Sequence, residues 1–131
     1  MKIGNVGIYV NDIEKVRSFF EDYFGAVIHA TIDDEGSGYH SYILSLGEGA
    51  FIELMNKPGL KDEPKDPNRT GLAHICILVD SREKLDEVIR RFKYESFNIQ
   101  YEPSSKEGAG EVRAVTIEDI ILEVAYDPKN I

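Results

Sequence analysis

The chain repeats itself. Asn5-Val6-Gly7-Ile8-Tyr9-Val10-Asn11 returns as His74-Ile75-Cys76-Ile77-Leu78-Val79-Asp80, 69 residues on, and Ile52-Glu53-Leu54 returns as Leu122-Glu123-Val124, 70 residues on. Two matches at nearly one spacing, with the same order of periodic segments between them, mark a duplicated unit. Whatever one half builds, the other must build again.

In the first half, residues 3–10 place Ile8 and Val10 on one face and Asn5, Gly7 and Tyr9 on the other, which predicts a strand. Asn11 stands three residues before Glu14, as in a capping box. Ile13, Val16, Phe19, Phe20, Tyr23 and Phe24 follow at helical spacing, and Gly25 suits the left-handed stop. Strands are predicted at 26–32, 39–46 and 50–56, with turns at 33–38 and 47–49. The second half runs in the same order. A strand at 72–79 precedes the cap pair Asp80 and Glu83, the stripe Leu85, Val88, Ile89 and Phe92, and strands at 97–102, 111–117 and 120–126, with a loop at 103–110. Residues 57–71 are polar, contain Pro58, Pro64 and Pro67, and show no periodicity, so they read as a linker or an active-site loop. The expected architecture is one α+β domain over 1–131. It holds a βαβββ module at about 3–56, a linker at 57–71 and a second module at about 72–126.

The net charge of −9 argues against nucleic acid as a partner, because phosphate binding needs clustered Lys and Arg. Arg90, Arg91 and Lys93 are the nearest thing to a cluster, and Asp86, Glu87 and Glu95 surround them. The acidity serves solubility or attracts a cationic ligand. No apolar run is long enough to span a bilayer, so no membrane partner is expected. The first five residues lack a signal peptide's apolar stretch and cleavage site, and Cys76, the only cysteine, cannot form an internal disulfide. Together these features lead to the expectation of a cytoplasmic protein.

Glu53 and Glu123 stand out as lone carboxylates in apolar strands, Phe51-Ile52-Glu53-Leu54-Met55 and Ile120-Ile121-Leu122-Glu123-Val124-Ala125. Alternation turns Ile52 and Leu54 toward a helix-covered core and Glu53 the other way, beside Phe51 and Met55. A carboxylate among apolar neighbours calls for a counter-ion, a metal or a proton. His74 shares a strand face with Cys76 and Leu78, and Asn5 is its counterpart. If the halves are related by a pseudo-twofold axis, Asn5, Glu53, His74 and Glu123 converge in one cleft. Two carboxylates and an imidazole suit a divalent transition metal such as Ni, Co, Zn, Mn or Fe, which polarises a carbonyl while a carboxylate moves a proton. The plainer reading is that a strand Glu usually faces solvent. His29 and His40 lack repeat counterparts and read as surface or rim residues. Cys76 reads as a small buried apolar residue, and the stripe Phe19, Phe20, Tyr23, Phe24 as core. Tyr9 either lines a pocket or fills it.

These residues make the sequence resemble the vicinal oxygen chelate superfamily, which includes glyoxalase I, bleomycin-resistance proteins, fosfomycin-resistance enzymes, methylmalonyl-CoA epimerase and extradiol dioxygenases. The resemblance runs from residues 3–15 through Phe19-Phe20, Tyr23-Phe24-Gly25, Ile52-Glu53-Leu54-Met55, Gly71-Leu72-Ala73-His74-Ile75 and Ile121-Leu122-Glu123-Val124. It implies two βαβββ modules in pseudo-twofold arrangement, forming a cleft between curved mixed sheets. It also implies metal ligands at Asn5, Glu53, His74 and Glu123. Bacterial glyoxalase I, with His, Glu, His and Glu at those places, looks most similar; its two glutamates also move the substrate proton, and its sites form between two subunits. The resemblance thus implies a homodimeric metal-dependent lyase or isomerase with Glu53 and Glu123 catalytic, acting on a small carbonyl or thioester substrate. The alternative it carries is a metal-free protein of the bleomycin-resistance type that binds a drug. Asn5 stands where glyoxalase I has His, and its amide oxygen is a neutral, weak ligand. The same loss of a His disfavours an oxygenase's iron site. A second departure is the turn Glu118-Asp119-Ile120, shorter than the Asp-Pro-Asp-Gly-Asn type of many members.

Overall fold

A computed structural model describes residues 1–130; Ile131, the last residue of the expected domain 1–131, lies outside the described residues. The chain forms two compact units, Met1–Pro64 and a second from Lys65 onward. Each is a strand, a helix and three more strands, as the repeat predicts.

In the first unit the order is β1 (Asn5–Tyr9), α1 (Ile13–Phe24), β2 (Val27–Asp34), β3 (Tyr39–Ser45) and β4 (Phe51–Asn56). The sheet order is β1-β4-β3-β2, with β1 parallel to β4 and the other pairs antiparallel. Helix α1 packs on β4. Its buried Val16, Phe19, Phe20 and Tyr23 belong to the same core as Leu44, Ile52 and Leu54. Each fully buried side chain of this size contributes roughly 1.5–3 kcal/mol of transfer free energy. Gly25 ends α1 at φ 65, and its N–H donates to the Glu21 carbonyl at 2.9 Å, so the glycine stop is observed.

The second unit repeats the plan with β5 (Ile75–Leu78), α2 (Arg82–Tyr94), β6 (Asn98–Tyr101), β7 (Gly110–Val115) and β8 (Ile121–Tyr126), in the sheet order β5-β8-β7-β6. Leu85, Val88, Ile89 and Phe92 of α2 are buried, as are Val112, Ala114, Leu122 and Val124 of the strands on which α2 packs. Even irregularities recur: pairing slips by one residue between Ile28 and Ala30 in β2 and between Ile99 and Tyr101 in β6. The α+β class and the two βαβββ modules are therefore as expected. Within each sheet one face carries the helix and the other carries the lone glutamate.

The helix starts differ from the sequence reading. Asp12 rather than Asn11 caps α1, accepting from the Lys15 N–H at 3.1 Å, and Ser81 rather than Asp80 caps α2, accepting from Lys84 at 3.0 Å. In both halves two cap-forming residues stand side by side, and the backbone path selects the second. Strand β5 begins at Ile75 and not at residue 72, so His74 sits immediately before the strand. The β7–β8 connection places Glu118 and Asp119 at φ 50 and 62, closed by the Ile120 N–H donating to the Ile117 carbonyl at 3.0 Å. Two consecutive left-handed residues fit a tight hairpin of the I′ kind, here without glycine at a local cost of roughly 1–2 kcal/mol per residue.

Candidate functional site

In the first unit, β4 carries Glu53 between the β1 and β3 strands. Gly7 is its partner across the parallel pair and Ile43 across the antiparallel pair. Ile52 and Leu54, pointing the other way, are 3% and 0% exposed, while Glu53 is half-buried. Its carboxylate is met by hydroxyls: Tyr39 and Ser41 on β3 both donate to Oε2, at 3.1 and 3.0 Å. Ser41 is fully buried, so its hydroxyl is held in place for that bond. Burial, with the Glu53 contact adding to it, pushes the Tyr39 phenol up. Asn5, exposed at the start of β1, lies in register with Phe51 and so on the Glu53 face. Tyr9, also on that face, is 49% exposed with the Lys57 ammonium 5.2 Å from its ring centre.

The second unit answers the same position with more charge. Glu123 on β8 pairs in register with Cys76 on β5 and Arg113 on β7. Its Oε2 lies 3.2 Å from His74 Nε2 and 3.6 Å from Arg113 Nη1, and it accepts from the Tyr101 hydroxyl at 3.0 Å. Tyr101 also reaches Glu111 Oε1 at 3.4 Å. Burial is the main cause that raises the Tyr101 phenol, with the Glu123 hydrogen bond next. Cys76 corrects the sequence reading: it is exposed on this open face. Its sulfur is nevertheless partly desolvated, and with the Glu123 and Glu111 carboxylates nearby its thiol is pushed up, away from the reactive thiolate.

The His74–Glu123 separation is that of a hydrogen-bonded pair, and it is also one that two ligands of a single ion could take. Donors held at about 2.1 Å from a metal and roughly 90–110° apart lie about 3.0–3.4 Å from each other, and the observed separation is 3.2 Å. Within neither unit, among the described residues, do three or more His, Cys, Asp or Glu side chains gather at metal-holding distance.

A scan against family descriptions matches residues 5–115 to the glyoxalase/bleomycin resistance protein/dioxygenase superfamily. The chain belongs to that superfamily. One curated relative of this member is catechol-2,3-dioxygenase of Bacillus subtilis (strain 168), 27% identical over 105 residues that cover 75% of this chain and 33% of that enzyme. The chain thus spans about a third of that relative's length. Among solved structures, the trypanothione-dependent glyoxalase I of Leishmania major superposes with a TM-score of 0.77 at 19% identity, covering 98% of this chain and 88% of that one. The fosfomycin resistance protein FosX of Listeria monocytogenes, in a mutant complexed with Mn(II) and a dihydroxypropylphosphonic acid, gives 0.66 at 19% identity, covering 93% and 89%. At these identities the shared property is the fold.

Of the residues singled out in the sequence, the second unit brings His74 and Glu123 together, and Glu53 and Asn5 share a sheet face in the first. His29 is exposed, as expected of a surface residue, with its ring centre 4.5 Å from that of Phe51, and His40 is half-buried, 3.5 Å from Asp33. Four residues were not singled out: Tyr39, Ser41, Tyr101 and Arg113. Arg113 carried a legible signal, since Val112-Arg113-Ala114-Val115 is the same pattern of a lone charge in an apolar strand that exposed the glutamates. The hydroxyl donors carried none, because only strand pairing shows which carboxylate they meet.

Proposed function

We propose that this superfamily member is a metal-dependent lyase or isomerase of the glyoxalase I type, acting on a small carbonyl or thioester substrate. The observation that carries this reading is the 3.2 Å His74–Glu123 pair on the open face of a sheet whose repeat counterpart presents Glu53. His74 and Glu123 would hold a divalent ion of the Ni, Co, Zn, Mn or Fe group. Glu53 and the weak ligand Asn5 are assigned with them as repeat counterparts. The ion would supply polarisation of the substrate carbonyl.

The proton is moved by the chain's own groups. Glu53 takes it from the carbon beside the carbonyl and returns it to the neighbouring carbon. Tyr39 and Ser41 hold its Oε2, which would leave Oε1 for the proton. Glu123, fixed by Tyr101, is the paired carboxylate of the reaction. The resemblance adds a homodimer to this reading.

The net charge of −9 favours one second reading, a metal-free protein that sequesters a cationic drug. Metal analysis of protein purified without chelator separates the two. Near-stoichiometric divalent metal, with affinity lowered more than about 100-fold in Glu123→Gln, and turnover of the methylglyoxal–glutathione hemithioacetal support the enzyme. Metal-free protein that binds bleomycin equally well with and without that substitution overturns it.

A further inference from the structure

The two units fill the slot beside their glutamates differently. Gly7 is the register partner of Glu53, and Cys76 holds the same place beside Glu123. Next on the same face of the glutamate strands come Met55 in the first unit and Ala125 in the second. The pairing is thus glycine with methionine in one unit and cysteine with alanine in the other. The backbone at Gly7 is ordinary strand, so its conformation does not ask for glycine. A glycine inside a strand weakens it and often marks a close approach. Here the approach is made by Met55. A β-carbon at residue 7 would stand 2.9 Å from Met55 Cε and 3.4 Å from its Sδ. The bare backbone leaves a slot, and the thioether lies in it, on the β1 side of Glu53.

The β3 side of the same carboxylate is held by hydroxyls, since Tyr39 and Ser41 both donate to Oε2. What reaches Glu53 is therefore bounded on one side by fixed polar groups and on the other by Met55. That second boundary is apolar and only half-buried. Three rotatable bonds and a polarisable sulfur let a methionine reshape around a neighbour, which a β-branched residue cannot do. The second unit, with the alanine methyl at the same position, has no such wall.

We propose that Met55 is a specificity-determining residue, whose thioether, seated over Gly7, limits the bulk of the group that a substrate carries beside the carbon facing Glu53. The inference rests on the reading of Glu53 as the proton carrier and narrows its substrate to one with a small apolar group at that place.

The test compares the unaltered full chain with Met55→Ala, Gly7→Ala and the two substitutions together. The double variant copies the second unit, where a β-carbon at Cys76 goes with Ala125. Turnover of the glutathione hemithioacetals of methylglyoxal and phenylglyoxal is measured on protein purified without chelator. The unaltered chain should favour the smaller compound, and Met55→Ala should cut that preference about tenfold, the scale on which apolar bulk is discriminated. Gly7→Ala should drive the thioether out of its slot toward Glu53 and lower kcat/KM for both compounds. Adding Met55→Ala should restore them. An unchanged preference in Met55→Ala overturns the proposal, and so does a Gly7→Ala loss that Met55→Ala leaves unrelieved. A chain that turns over neither compound refutes the enzyme reading instead, and labelling then tests Met55 by itself. Water-soluble carbodiimide with glycinamide amidates accessible carboxylates, and peptide mass mapping gives the rates at Glu53 and Glu123. Met55→Ala should speed Glu53 several-fold, Gly7→Ala should slow it, and the double variant should return it toward the unaltered rate, with Glu123 constant throughout. Equal Glu53 rates in the unaltered chain and every variant overturn the proposal.

Discussion

Three tyrosine hydroxyls each donate to a carboxylate: Tyr39 to Glu53, Tyr42 to Glu14 at 2.6 Å, and Tyr101 to Glu123. All three phenols are raised above the ordinary value of about 10. Burial is the main cause for Tyr39 and Tyr101, and the Glu14 hydrogen bond for Tyr42. Because the folded state favours the protonated phenol, the associated stability is fully present below the ordinary value and is lost as pH rises through the folded ones. Phenolate absorbance should therefore show a late fraction on alkaline titration, and Tyr39→Phe should remove part of it. A single step for all seven tyrosines at the ordinary value, before unfolding, would contradict the three bonds. Glu14 runs the other way: held low first by the Tyr42 bond and then by Arg17, it contributes above the ordinary carboxylate range and loses that contribution as pH falls.

At the scale of elements, the duplicated strand–helix–three-strand order was plain in the residues. The helix stripes named the buried side chains, except that Ile13 and Phe24 of the first stripe are only half-buried because they lie at the two ends of α1. Element edges were less legible. Asn11-Asp12 and Asp80-Ser81 each offer two side chains able to accept from an orphan N–H, and sequence spacing does not choose between them. Ser81, with φ −151 and ψ 153, has the extended backbone of a cap, and its carbonyl accepts from the Leu85 N–H at 3.2 Å. Ser81→Ala should then lower stability in urea unfolding by about 1 kcal/mol, and Asp80→Ala by well under half as much. Equal losses would return the cap to Asp80. The same limit hid the hydroxyl donors of the site. Tyr39 and Ser41 reach Glu53 only because β3 lies antiparallel to β4 in a register that sets Ile43 opposite the carboxylate. A slip of one residue would turn every side chain of β3 to the other face.

For the molecule as a whole, no helix among the described residues is long and apolar enough to cross a membrane. Residues 57–71 have neither helix nor strand, are exposed apart from Leu60, and contain the boundary between the units at Pro64 and Lys65. Backbone without ladder bonds opens locally at little cost. Brief trypsin treatment should therefore cut first after Lys61, Lys65 or Arg69, giving two fragments of nearly module size by mass spectrometry. A first cut inside either sheet would argue against a linker at 57–71. What the sequence determined by itself was the repeat, the class of fold, the core stripes and the two odd glutamates. Those follow from periodicity and composition, which act along the chain. The tertiary structure decided what each glutamate meets. Glu53 is held by two hydroxyls, whereas Glu123 meets a histidine, an arginine and a tyrosine. These partners stand 12–49 residues away along the chain, or ten in the case of Arg113. Strand register, a property of pairing and not of any one segment, is what turns two equivalent positions into two different chemistries.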